Sequence, residues 1–129
     1  MPVAVERLKK RGDFLAARRG RRLNGPFFFI ETLDRRDGGA PRLGLTVTKK
    51  VGNAVERNRI KRRLREAVRL GAGADMVVGH DYVIVARRDV LHVPFGSLKQ
   101  ELERRLARSG AGVSRMTGRQ ERVSPPGKV

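Results

Sequence analysis

Ala54–Leu70 reads AVERNRIKRRLREAVRL, and the fold turns on this stretch. Ile60, Leu64, Ala67 and Val68 recur at three- and four-residue spacing, which predicts a helix with one buried stripe. Asn53 can cap its start and Gly71 can end it. At about 100° per residue, Asn58, Lys61, Arg62, Arg65 and Arg69 fall on the face opposite that stripe. Arg57 borders the face, while Arg59 and Arg63 spread to the other side. Glu56 and Glu66 offset little of the charge. Solvated faces usually mix signs at i,i+4, whereas Arg57, Lys61 and Arg65 repeat one sign. Stacked like charges lose a few tenths of a kcal/mol per pair, which an anionic ligand would recover. A plain solvated face is the alternative reading.

Outward from the helix, Thr46-Val47-Thr48-Lys49-Lys50-Val51-Gly52-Asn53 forms the approach. It leads two lysines into a helix N-terminus, where free backbone N–H groups favour phosphate. No Gly-x-x-x-x-Gly-Lys-Ser/Thr loop is present, so nucleotide hydrolysis is unsupported. Leu43–Thr48 and Phe27–Leu33 read as strands, joined through Asp34–Pro41 as a long-looped hairpin. Arg11–Arg19 reads as a short helix stopped by Gly20. On the far side, Gly71–Gly79 reads as a flexible link. Tyr82–Ala86 is a nearly continuous apolar run, the pattern of a strand buried on both faces. Pro94–Arg108 predicts a last helix with Phe95, Leu98, Leu102 and Leu106 inward. Residues 109–129 are rich in Gly, Ser, Pro and Arg without periodicity, which predicts a disordered basic tail. The expected architecture is a single α/β domain over residues 1–108, a small sandwich with one helix-bridged strand pair.

Composition points the same way. The 129 residues carry 30 Lys plus Arg against 13 Asp plus Glu, a net charge of +17. Arg outnumbers Lys by 23 to 7, and a guanidinium suits bidentate phosphate contact. Self-repulsion at this charge calls for a polyanionic partner. The absence of Cys excludes disulfides, thiolate zinc sites and a cysteine nucleophile. His80 and His92 are not spaced as a ligand pair. No apolar run reaches the roughly 18 residues of a membrane span. The first residues lack the order of a secretory signal, so the cytoplasm is expected.

The string TVTKKVGNAVERNRIKRRLRE (Thr46–Glu66) resembles the signature of the bacterial ribonuclease P protein subunit family. The matching positions are Lys49, Lys50, Gly52, Ala54, Arg57, Asn58, Lys61, Arg62 and Arg65. The resemblance extends to Arg7-Leu8, Asp13-Phe14 and Asp81–Arg87. It implies a small mixed sheet, with the basic helix in a left-handed βαβ crossover. It implies the protein partner of a catalytic RNA that removes the 5′ leader of precursor tRNA, with the chemistry carried by RNA-bound Mg2+ and no metal held by protein alone. It makes Arg57, Asn58, Lys61, Arg62 and Arg65 RNA-binding positions, to which the helical wheel adds Arg69 and the approach adds Lys49 and Lys50. It also implies a leader cleft between the first helix and the exposed sheet face, containing Phe14 and Thr46. Strand alternation puts Phe29, of the three consecutive phenylalanines, on the cleft side. Where family members often carry a second aromatic one turn after Phe14, this chain has Arg18, so leader contact shifts towards Arg18 and its cationic neighbours. No membrane and no small-molecule substrate are implied.

Two other readings compete. An independent nuclease would need clustered carboxylates or a His pair, and the aspartates are scattered. A ribosomal or other structural RNA-binding protein would satisfy composition equally well; the Lys49–Glu66 string separates it from the resemblance.

Overall fold

A strand with apolar side chains on both faces belongs inside a sheet, and the segment around Tyr82 sits there. The computed structural model describes residues 5–114. Its elements are β1 (Glu6–Arg7), α1 (Arg11–Ala17), β2 (Arg21–Asn24), β3 (Phe28–Asp34), β4 (Arg42–Thr46), α2 (Ala54–Leu70), β5 (His80–Ala86) and α3 (Phe95–Ser114). Short 3-10 turns lie at Lys49–Val51, Ala72–Asp75 and Arg88–Leu91. The sheet order is β1-β4-β5-β3-β2. β5 runs parallel to β4 and antiparallel to β3, so the sheet is mixed and α2 bridges a parallel pair.

This order corrects the expected hairpin between Phe27–Leu33 and Leu43–Thr48, because β5 lies between those strands. The hairpin partner of β3 is instead β2, with Asn24 opposite Phe29. The Gly25-Pro26 break is therefore a hairpin turn, closed by the Gly25 amide donating to the Phe28 carbonyl at 3.0 Å. The link after α2 is also not loose. Ala72, Gly73 and Met76 are buried there, and the Tyr82 hydroxyl accepts the Val77 amide at 2.9 Å. Helix α3 continues past the boundary expected at residue 108, to Ser114. Residues 115–129, most of the expected tail, lie outside the described residues.

The main core fills the layer between the sheet and helices α2 and α3. Ile60, Leu64, Ala67 and Val68 of α2 meet Phe28, Ile30, Tyr82 and Ile84 of the sheet and Leu98, Leu102 and Leu106 of α3. On the opposite face α1 lays Ala17 and Phe14 over Val83, Leu33 and Val85, with Leu8 beside them. Gly44 permits this close approach. A Cβ on Gly44 would stand 2.6 Å from the Phe14 ring and 3.0 Å from Leu8. Gly44→Ala is expected to lift Phe14 and α1 and to destabilise the fold by about 1–3 kcal/mol, the usual range for overpacking. A urea-unfolding midpoint equal to that of the native chain would refute this packing.

Candidate nucleic-acid interface

The α2 face is built by a tightly fixed helix start. The Asn53 side chain accepts the Glu56 amide at 2.9 Å, and Glu56 accepts the Asn53 amide at 3.0 Å, a reciprocal cap. Glu56 also accepts Arg88, and these bonds from Arg88 and the Asn53 amide hold its carboxyl down at about 2. Arg88 further donates to the Val51 carbonyl, and Arg57 donates to the Gly52 carbonyl at 2.7 Å. The Lys49–Val51 turn is thereby clamped onto the helix, with Val51 buried and both lysines exposed.

The cations of α2 divide into two groups. Lys61, Arg62 and Arg65, like the neutral Asn58 beside them, Lys49 and Lys50 of the approach and Arg59 away from the predicted face, have no side-chain hydrogen-bond or ion-pair partner among the described residues. Arg63 is spent on structure: it donates to the Val90 carbonyl at 2.6 Å and to the Val93 carbonyl, and burial lowers its pKa. Arg57 is half-buried against Gly52, and Arg69 pairs with Glu66 at 2.6 Å. Of the predicted face, the free set is therefore Lys49, Lys50, Asn58, Lys61, Arg62 and Arg65, with Arg57 and Arg69 at its margins.

The sheet face under α1 forms the second surface. Register places Thr46, Val85 and Phe29 in one row across β4, β5 and β3. Phe14 stands one row away over Gly44 and packs there against the sheet. Phe29 is half-buried on the face it shares with Val85, away from Phe28 and Ile30 as alternation predicts, and its ring is not bare. The Arg22 guanidinium lies 3.6 Å from the ring centroid and Arg87 lies 5.9 Å from it. Sequence reasoning missed Arg22 because its position depends on the pairing of β2 with β3. Arg18 is exposed at the end of α1.

An ion-pair network ties α1 to the first residues of β4 and β5. Asp81, 1% exposed, accepts Arg42 through both oxygens at 2.7 Å and Arg35 at 2.7 Å. Burial opposes ionisation of Asp81, but the bonds from Arg42 and Arg35 outweigh it and hold its carboxyl below the ordinary range. Arg42 reaches Asp13 of α1 at 3.5 Å, and Arg35 pairs with Asp37 at 2.9 Å. These residues lie far apart in sequence, so no local pattern reveals the network. A carboxylate cluster for metal is a different matter: the described residues contain no group of three or more His, Cys, Asp or Glu that could hold an ion. The acidic groups described above are committed to arginines, so they do not fit a protein-held magnesium.

The two surfaces meet. A hollow of about 230 Å³ is lined by Phe14, Gly44 and Leu45 on the sheet side and by Lys61 and Arg65 of α2, with Arg7 at its edge. Against this geometry, the family model for ribonuclease P matches residues 3–110. The chain belongs to the ribonuclease P protein family. The ribonuclease P protein component of Brucella suis is 48% identical over 129 residues, spanning 94% of this chain and 92% of its own. That of Bartonella quintana is 53% identical over 106 residues, spanning 78% and 80%. Among solved structures, the Thermotoga maritima RNase P protein superimposes with a TM-score of 0.69 at 31% identity, covering 80% of this chain and 96% of its own. A ribonuclease P protein is the protein component of an endoribonuclease ribonucleoprotein that processes tRNA, so its partner within that complex is RNA.

Proposed function

We propose that the α2 face, with Lys49, Lys50, Asn58, Lys61, Arg62 and Arg65 at its centre, binds the catalytic RNA, and that the cleft between α1 and the sheet binds the 5′ leader of precursor tRNA. The protein is not catalytic by itself; magnesium and the chemistry belong to the RNA, and the protein supplies position and charge. The setting is the cytoplasm, with no membrane and no small-molecule substrate. Among the described residues no helix is long and apolar enough to cross a membrane.

The observation that carries this reading is the hollow shared by Phe14, Lys61 and Arg65. It lets one RNA lie on α2 while a second strand passes along the adjoining sheet row. In that row the Arg22 guanidinium lies 3.6 Å from the Phe29 ring centroid, and such a cation–aromatic pair offers a base a sequence-tolerant platform suited to leaders of varied sequence.

Leader length tests it. In the reconstituted enzyme, extending the leader from one to about five nucleotides should tighten precursor binding by about tenfold, the worth of roughly one stacked base. Phe29→Leu keeps the strand filled and should abolish most of that gain while leaving mature tRNA binding unchanged. Affinity independent of leader length would contradict the cleft assignment.

A further inference from the structure

Beyond the hollow at Phe14, a larger furrow of about 500 Å³ opens between the C-terminal end of α2 and strand β1. Its walls are apolar: Val5, Leu43, Val68 and Leu70. Leu70 remains 49% exposed there. The rim is cationic. Arg7 and Arg65 have no ion-pair or hydrogen-bond partner among the described residues, and both also line the Phe14 hollow. Arg69, the third rim cation, holds only an exposed pair with Glu66, of the kind worth little in water. Glu6 is the one acidic group on the lining.

An apolar slot between cations selects for a ligand with a flat apolar body and anionic ends. A nucleotide in an unpaired strand has that form, with its base between two phosphates. The volume lies within the roughly 300–1,000 Å³ of ligand pockets, and apolar walls hold extruded bases in other proteins. We propose that this furrow captures one unstacked nucleobase of the catalytic RNA, with the flanking phosphates on Arg7 and Arg65. The inference rests on the α2 face being the RNA interface and adds a base contact to it. The catalytic RNA is the source because the furrow adjoins α2 and Leu43, at the opposite end of β4 from Thr46 and the leader row.

Ala74 is exposed on the furrow lining, so Ala74→Trp fills the slot with an indole without entering the core. Affinity of the full chain for its catalytic RNA is measured against salt concentration. The expected result is a loss of about fivefold or more at every salt concentration, what burying about 40 Å² of apolar base surface against aliphatic walls supplies, with the log–log slope unchanged because no cation is removed. Leu70→Ser removes a wall at a half-exposed position and should weaken binding in the same salt-independent way, which keeps the test open should the tryptophan variant misfold. Native affinity in both variants overturns the proposal, as does a loss that comes with a flattened slope. Failure of the native chain to bind the RNA at all would instead bring down the interface reading on which it rests.

Discussion

Replacing Arg62 and Arg65 together by alanine is expected to weaken binding to the catalytic RNA by on the order of 10- to 100-fold near physiological salt and to flatten its salt dependence by about two. About six cations on the face give the native chain a log–log slope of roughly −4 to −5. Each phosphate that the protein no longer neutralises takes about one unit off that slope. The two residues are a clean choice because both are exposed and neither has a partner among the described residues. The thermal transition should therefore stay where it is. Arg63→Ala provides the contrast: it strips donors from the Val90 and Val93 carbonyls and should lower stability while leaving the slope intact. A double variant with native slope would remove Arg62 and Arg65 from the interface.

The second large effect concerns stability. Asp81→Asn leaves the Arg35 and Arg42 guanidinium groups, 13% and 26% exposed, without their shared carboxylate. Removing one partner of a buried ion pair typically destabilises by about 3–5 kcal/mol, and the partial exposure of the arginines favours the lower end. For a domain of this size that is a fall of about 10 °C or more in Tm, read by circular dichroism at pH 7. This network and the Glu56–Arg88 pair at the start of α2 together govern acid behaviour. Asp37 and Glu56 titrate at about 2 in the folded chain, each held down chiefly by its arginine, and Asp81 is lowered as well. Folded pKa values below the unfolded ones stabilise the protein above about pH 4.5, and that stability is lost as pH falls towards 2. Asp75, raised by burial, acts in the opposite sense. Stability should thus be flat near neutrality and decline below about pH 4.5, and the gap between the native chain and Asp81→Asn should narrow there. Equal melting of the two chains at pH 7 would contradict the network's role.

Helix α2 was legible because every signal for it is local. Its four stripe residues are all buried, Asn53 and Gly71 bound it, and the free cations lie opposite the stripe. The sheet was less legible. Tyr82–Ala86 reads as buried on both faces, which calls for layers above and below it but does not name its neighbours at either edge. Proximity along the chain favoured direct pairing of Phe27–Leu33 with Leu43–Thr48, and β5 lies between them. β2 escaped notice because Arg21–Asn24 has one apolar side chain, Leu23, and sits at the sheet edge. β1 is only two residues long. Alternation along β3 puts Phe29 on the side of the sheet it shares with Val85, away from Phe28 and Ile30. The arginine lying over it and the Asp13–Arg42–Asp81–Arg35–Asp37 network depend on register between distant segments, which no local spacing encodes.

The most direct measurement is leader removal from precursor tRNA at low magnesium, with the protein alone, the catalytic RNA alone, and both together. The expected result is no cleavage by the protein, slow cleavage by the RNA, and strong stimulation when the two are combined. Cleavage by the protein alone, or an RNA whose activity the protein leaves unchanged, would contradict the account.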